Sequence, residues 1–242
     1  KAMEMVATAR MKYTQEQVQA LRPYSRRAWD ILSHLASMGN DEGSTHPLFT
    51  PREVRNIKVL VIGANRGLCG SFDADIIRVA EDLIRRQPVP VRIVTVGRRI
   101  RAWAVSTGQE VIAEFPQIPP QPTLGDVRPI ARVLVDGYME GRVDLLYLVG
   151  TRFFSIADQR PMAWQLLPVA VIGRAPERAV EYICEPDIRT IMDEILPRFI
   201  HLQIYEAILE SIASEYCARM MAMRKANDNA NELIHDLTLL YN

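Results

Sequence analysis

The chain has 242 residues, with 29 Lys and Arg against 29 Asp and Glu. That balance argues against a general nucleic-acid binder, which is usually basic. No run of residues approaches the roughly 18 consecutive apolar positions of a membrane span, so direct insertion is not expected. The three cysteines, Cys69, Cys184 and Cys217, have no metal-ligand spacing. Their odd count fits a reducing compartment without a disulfide framework.

Residues 1–37 read as a helix, with Ala2, Met5, Ala9, Tyr13, Val18, Leu21, Ala28, Ile31 and Leu35 at helical intervals. Pro23 interrupts this pattern and is expected to bend or open the helix locally. Lys1 already lies inside the pattern, so earlier helical turns and any leader are expected outside this sequence. Met38–Pro51 carries Gly, Asn, Asp, Ser, Thr and Pro and reads as a loop.

The middle alternates strands and helices. Ile57–Ile62, Val91–Val96, Glu110–Phe115 and Val143–Val149 read as strands, and residues 160–172 as one more with an open choice of partner. Ala74–Arg86, Arg98–Ser106 and Leu124–Met139 read as helices. Short apolar strands alternating with amphipathic helices predict a mostly parallel sheet covered on both faces.

Beyond Asp187, a plausible cap after Pro186, sixteen positions from Ile188 to Tyr241 recur in steps of three and four, and fourteen are apolar or aromatic. The exceptions are Glu206 and Asn227. The mean step is close to the coiled-coil period. A helix over 187–242 would be about 84 Å long, longer than a domain of this size, with Pro197 disturbing its base. Its stripe needs a partner, and residues 1–38 are the nearest helix. All twelve glycines lie between Gly39 and Gly173, which leaves both ends free to form long helices. The expected architecture is therefore α/β, with a long antiparallel coiled coil of the terminal helices (1–38 and 187–242) and a central doubly wound body over 52–180. Ser214, Ala218, Ala222, Ala226 and Ala230 form a small-residue row, read as a groove that admits the N-terminal helix around Ala2–Ala9. Good helix propensity is the blander account.

The chemical motifs are sparse. Gly63, Gly67 and Gly70 follow the first strand in the spacing G-x-x-x-G-x-x-G, which lacks the Lys-Ser/Thr of a phosphate loop. The four histidines, His34, His46, His201 and His235, are scattered, and no nucleophile is paired with a base. Cys69 reads as a buried structural thiol. No catalytic, metal or cofactor residue is assigned.

Three stretches carry a resemblance: Lys1–Arg10 (KAMEMVATAR), the turn VIGANRGLCGSFDADI, and EYCARMMAMRKANDNANELIHDLTLLYN at the end. They resemble the start, the R-G-L-C-G turn and the C-terminal signature of the gamma subunit of the F-type rotary ATP synthase. Weaker echoes lie at Arg22-Pro23-Tyr24, Glu140-Gly-Arg, Gln165–Pro168 and Tyr182-x-x-Glu185-Pro186. Ala64-Asn65 stands where the family has Ser-Asp or Thr-Asp. The resemblance implies a non-catalytic rotor shaft inside a ring of alpha and beta subunits, with the body against epsilon and the membrane c-ring. It implies a ring-facing set of Lys1, Met3, Glu4, Met5, Arg10, Met11, Arg219, Met223, Asn229 and Asp236. A foot-facing set follows from Arg66, Tyr182, Cys184 and Glu185. A peripheral place on the cytoplasmic face of a bacterial inner membrane is expected, with a mitochondrial matrix or plastid face as alternatives. Two other readings stand beside this one: a nucleotide-binding α/β enzyme with helical extensions, and a coiled-coil dimerisation module.

Overall fold

A computed structural model describes residues 1–39, 46–169 and 187–241. Five helices and five strands follow in the order α1 (Ala2–Gly39), β1 (Ile57–Ile62), α2 (Phe72–Arg85), β2 (Val91–Val96), α3 (Arg98–Ser106), β3 (Val111–Phe115), α4 (Leu124–Met139), β4 (Leu145–Phe153), β5 (Gln159–Leu167) and α5 (Ile188–Tyr241).

The sheet order is β3-β2-β1-β4-β5. Strands β1 to β4 are parallel, and β5 returns antiparallel against β4 across the short turn 154–158. β1 is buried along its whole length, as a strand covered on both faces must be. Its side chains alternate between two cores. Ile57, Val59 and Val61 face α2 and α3 with Phe72, Ile76 and Ile100. Leu60 and Ile62 face α4, α5 and the end of α1, with Ile130, Leu134, Ile200 and Leu32.

The ends of β1 and β2 press together. Gly97 has φ +96°, and a Cβ there would stand 2.4 Å from the Gly63 carbonyl oxygen. Only glycine fits that approach. Turn and strand ends are thereby fixed where β1 passes into the Gly63–Gly70 segment.

α1 and α5 run antiparallel. Glu4 pairs with Arg224, Arg10 with Tyr216, Arg22 with Glu210, and Trp29 stacks near Phe199. Pro23 and Pro197 both sit inside unbroken helices, although each removes one backbone donor. The seam of α1 is Ala7, Met11, Thr14, Val18, Leu21, Ser25, Ala28, Leu32 and Leu35, buried or half-buried at strictly alternating steps of four and three. That is a heptad pattern, and it differs from the expected stripe in the first half of the helix. Ala2, Met5, Ala9 and Tyr13 are exposed, as is Ile31. Two polar residues, Thr14 and Ser25, hold seam positions and disguise the period.

α5 is buried almost all round between Leu202 and Met220 because it lies between α1, α4 and the sheet. From Asp228 to Tyr241 every side chain is exposed. About 20 Å of helix therefore extends past the described part of α1.

The alanine row does not line the helix pair. Ala218 packs against the cluster of Cys69 and Phe72 on the body, Ala222 is half-buried, and Ala226 and Ala230 are exposed. The face that meets α1 is Ile212, Tyr216, Cys217 and Met220, against Ala7 and Met11. Helical twist carries the row past the body at Ala218 and out to solvent at Ala226 and Ala230, away from α1.

Candidate functional site

α5 runs along the sheet towards the ends of the parallel strands where β1 passes into its turn. Near its start, His46 Nε2 lies 3.0 Å from Asp193 Oδ1, and His46 Nδ1 accepts the Leu48 N–H. Burial, partly offset by Asp193, lowers the His46 pKa below its ordinary value. Near the C-terminal end of β1, Arg219 donates to the Arg66 carbonyl at 2.9 Å and to the Gly67 carbonyl at 3.3 Å. Between these points the Tyr205 hydroxyl donates to the Pro122 carbonyl, and the Cys217 thiol to the Ile156 carbonyl. The long helix is thus held to the body by directional bonds along much of its buried half.

The turn gripped by Arg219 has a defined interior. Asp73, in the first turn of α2, accepts the Ala64 N–H at 2.8 Å, and Arg99 lies 3.6 Å from the same carboxylate. Cys69 Sγ stands 3.5 Å from Asp73. Burial and the Asp73 charge push the Cys69 thiol up to about 12, which keeps it protonated. Leu68 takes φ +65° and is exposed at the tip, a conformation that non-glycine residues adopt at a cost.

An open cleft of about 790 Å³ lies between the start of α1, this turn, residues 117–120 and α5, with Met3, Val6, Arg10, Arg66, Ile118 and Met223 among its walls. Arg10 donates to the Tyr216 hydroxyl at 3.3 Å. Arg10 and Arg219 each stand 5.8 Å from the Tyr216 ring centroid, a cation–π range.

The expected interface residues fall into distinct groups. Lys1, Met3, Met5, Arg10, Asn229 and Asp236 are exposed. Glu4 is half-buried in its pair with Arg224, and Met223 is half-buried at the cleft. Met11 is different: at 5% exposure it belongs to the seam with Tyr216 and Met220. Arg219 is also turned inward, ion-paired to Glu215 at 2.7 Å with both side chains largely covered. Neither presents an outward contact from this chain.

Arg66 was expected at the foot with Tyr182, Cys184 and Glu185. It lines the same cleft as Met3 and Arg10, because the turn after β1 sits where the parallel strands end and α5 leaves the body. Tyr182, Cys184 and Glu185 lie outside the described residues. A buried ion cluster around Glu210 was not anticipated: Arg22 of α1 and Arg152 of β4 both pair with it. Its signal in the sequence was Glu206 and Glu210 inside an otherwise apolar helical run. Among the described residues no group of acidic, His and Cys side chains is placed to hold a metal ion. No described helix is long and apolar enough to cross a membrane.

Comparison with known proteins adds three kinds of result: a family, relatives in sequence and relatives in fold. A family model described as ATP synthase matches residues 1–242. The chain is 43% identical over 242 residues to the ATP synthase gamma chain of Dehalococcoides mccartyi strain CBDB1, covering all of this chain and 85% of that one. It is 39% identical over 251 aligned residues to the gamma chain of Herpetosiphon aurantiacus, with the same coverage. In fold it matches a chain of the Tetrahymena thermophila mitochondrial ATP synthase central stalk and c-ring at TM-score 0.69. That match has 19% identity and covers 94% of this chain and 98% of that one. A chain of the Euglena gracilis mitochondrial ATP synthase rotor matches at TM-score 0.55 and 13% identity, over 96% of this chain and 95% of that one.

Proposed function

This chain belongs to the ATP synthase gamma-chain family, and from that membership we propose how its two helices and its α/β body divide the work of a rotor. The chain is the central shaft of a rotary ATP synthase. The observation that carries the mechanical reading is the antiparallel pair of α1 and the 54-residue α5, which rises out of a body clamped firmly to its lower half.

The upper part of the pair enters the alpha/beta ring. Lys1, Met3, Met5, Arg10, Met223, Asn229 and Asp236 face the ring subunits, with Glu4 held in place by Arg224. Met11 and Arg219 serve inside the shaft instead. The body meets epsilon and the c-ring, and the segment holding Tyr182, Cys184 and Glu185 belongs to that contact. The complex sits peripherally on the cytoplasmic face of a bacterial membrane.

The chain itself does no chemistry. In a doubly wound sheet a nucleotide would place its phosphates on the N–H groups of the first turn. Here the Asp73 carboxylate already accepts the Ala64 N–H, and the Arg66 and Gly67 carbonyls, which repel phosphate, face Arg219. A phosphate would meet like charge on one side and acceptors on the other.

The test is assembly. A tagged copy expressed in its own host is expected to bring down alpha, beta, epsilon and c subunits, and ATP hydrolysis by the complex is expected to turn a bead fixed to the body. Recovery of the chain as a self-contained dimer without ring subunits would return the reading to a dimerisation module.

A further inference from the structure

The directional bonds described above, from Asp193, Tyr205, Cys217 and Arg219, each tie α5 alone to the rest of the chain. The crossing of α1, α5 and β4 is built differently. Val18, Phe153, Leu209 and Ala213 form a small apolar cluster there, and a charged cluster closes it. Arg22 Nη2 lies 3.1 Å from Glu210 Oε1, and Arg22 also donates to the Phe153 carbonyl. Arg152 Nη1 lies 3.3 Å from Glu210 Oε2, with its guanidinium 4.4 Å from the Trp164 ring centroid on β5. Glu210 is 3% exposed. Among the described residues it is the one carboxylate ion-paired to both α1 and the sheet.

We propose that Glu210 is the torsional coupling point of this rotor, the residue that locks both shaft helices to the α/β body so that a turn of one becomes a turn of the other. The inference rests on the rotor reading above. Charge-assisted hydrogen bonds have fixed directions, whereas apolar surfaces slide. The two Glu210 oxygens point to two different elements, and Arg22 binds α5 and β4 at once. Rotation of α5 about its axis, or of α1 along α5, stretches at least one of these bonds. Arg152 is positioned further by the Trp164 ring, which lies 4.4 Å from its guanidinium. The position also lies within the clamped stretch of α5, which runs from Asp193 to Arg219.

Glu210→Gln tests this with little risk to folding. Glutamine keeps the size and planar shape of the carboxyl group and removes only its charge. Arg22 and Arg152 have side chains about a third exposed, at 32% and 28%, so both heads can be rehydrated. The measurement uses the assembled complex with a bead attached to α3 through Ser106→Cys, an exposed position away from the Glu210 cluster. Its readout is the thermal angular variance of the bead during catalytic pauses, which reports compliance between shaft and body.

The expected result is a rise in variance of about twofold or more for Glu210→Gln, with hydrolysis rate unchanged. Arg22→Met and Arg152→Met, which each cut one arm, are expected to give smaller rises, and the double variant no more than Glu210→Gln. Arg55→Ala, which breaks an exposed pair with Glu53, is expected to leave the variance alone. A variance equal to the parent's in Glu210→Gln and in both arginine variants overturns the proposal. A parent bead that does not turn with ATP overturns the rotor reading beneath it.

Discussion

The guanidinium of Arg219 spans 2.9 Å to the main-chain carbonyl of Arg66 and 2.7 Å to the carboxylate of Glu215. One side chain therefore joins the shaft helix to the turn after β1 and neutralises a buried acid on its own helix. Burial raises the Glu215 pKa, and Arg219 opposes that rise.

Arg219→Met is expected to lose both roles. Glu215 would be left buried and unpaired, and the two carbonyls would lose their donor. Breaking a covered ion pair from one side typically costs about 3–5 kcal/mol. Arg219→Lys keeps the charge but not the fork, and its loss is expected to be smaller. Urea unfolding of the isolated chain measures both. Equal midpoints for parent and methionine variant would show that the grip contributes nothing.

Cys69 is expected to resist alkylation. A thiol whose pKa stands at about 12 is almost wholly protonated at neutral pH, and the thiolate is the nucleophile. Iodoacetamide at about pH 8 should modify Cys69 only after denaturant is added, as read by peptide mass spectrometry. Rapid labelling of the native protein would contradict the buried, Asp73-facing placement.

How much of this was legible beforehand depends on how many sides of an element are covered. β1 is apolar at every position but Lys58, and its limits are plain in the sequence. α4 is bounded by the Thr123 and Asp126 capping box. The seam of α1 was obscured because Thr14 and Ser25 stand in it while Met5 and Tyr13 stand outside. In α5 burial on several sides removes the contrast on which a stripe depends. Ile204, Ala207, Ile208 and Glu210 are covered as fully as the heptad positions. The antiparallel return of β5 rests on the turn 154–158, where the Phe154 and Ser155 N–H groups both donate to the Asp158 carbonyl. No periodicity encodes that. The Glu210 cluster joins residues far apart in sequence, so only the fold brings them together.

Glu210 also predicts a pH dependence. Its carboxyl titrates above the ordinary value because burial outweighs the two arginines. A folded-state pKa above the unfolded one contributes stability that is complete below the unfolded value, about 4.3. That contribution is lost as pH rises through the raised value. Glu210→Gln cannot titrate. The stability difference between parent and variant is therefore expected to shift against the parent as pH rises from about 4 towards neutrality. Denaturation midpoints at matched ionic strength measure it. A pH-independent difference would mean that the acid titrates normally in the folded chain.

Where the shaft leaves the body is testable with one small residue at a time. Ala218 is half-buried against the cluster of Cys69 and Phe72, one turn beyond the fully buried Ser214. Ala226 and Ala230 continue the same row but are exposed. Ala218→Phe must push α5 away from α2 and the turn, and overpacking of this kind costs about 1–3 kcal/mol. Ala226→Phe and Ala230→Phe place the ring in water and should change stability by less than about 0.5 kcal/mol. The contrast separates two arrangements. If the row faced α1, the costs would rise towards Ala230 as the groove narrowed on the first turns of the chain. If it faces the body, the cost is confined to Ala218 and vanishes along the helix. Thermal melts of the isolated variants are expected to show the second pattern. In the assembled complex the same Ala226 and Ala230 variants probe a different neighbour, the alpha/beta ring. A loss of hydrolysis there, with no loss of stability in the isolated chain, assigns the exposed half of the row to a ring contact.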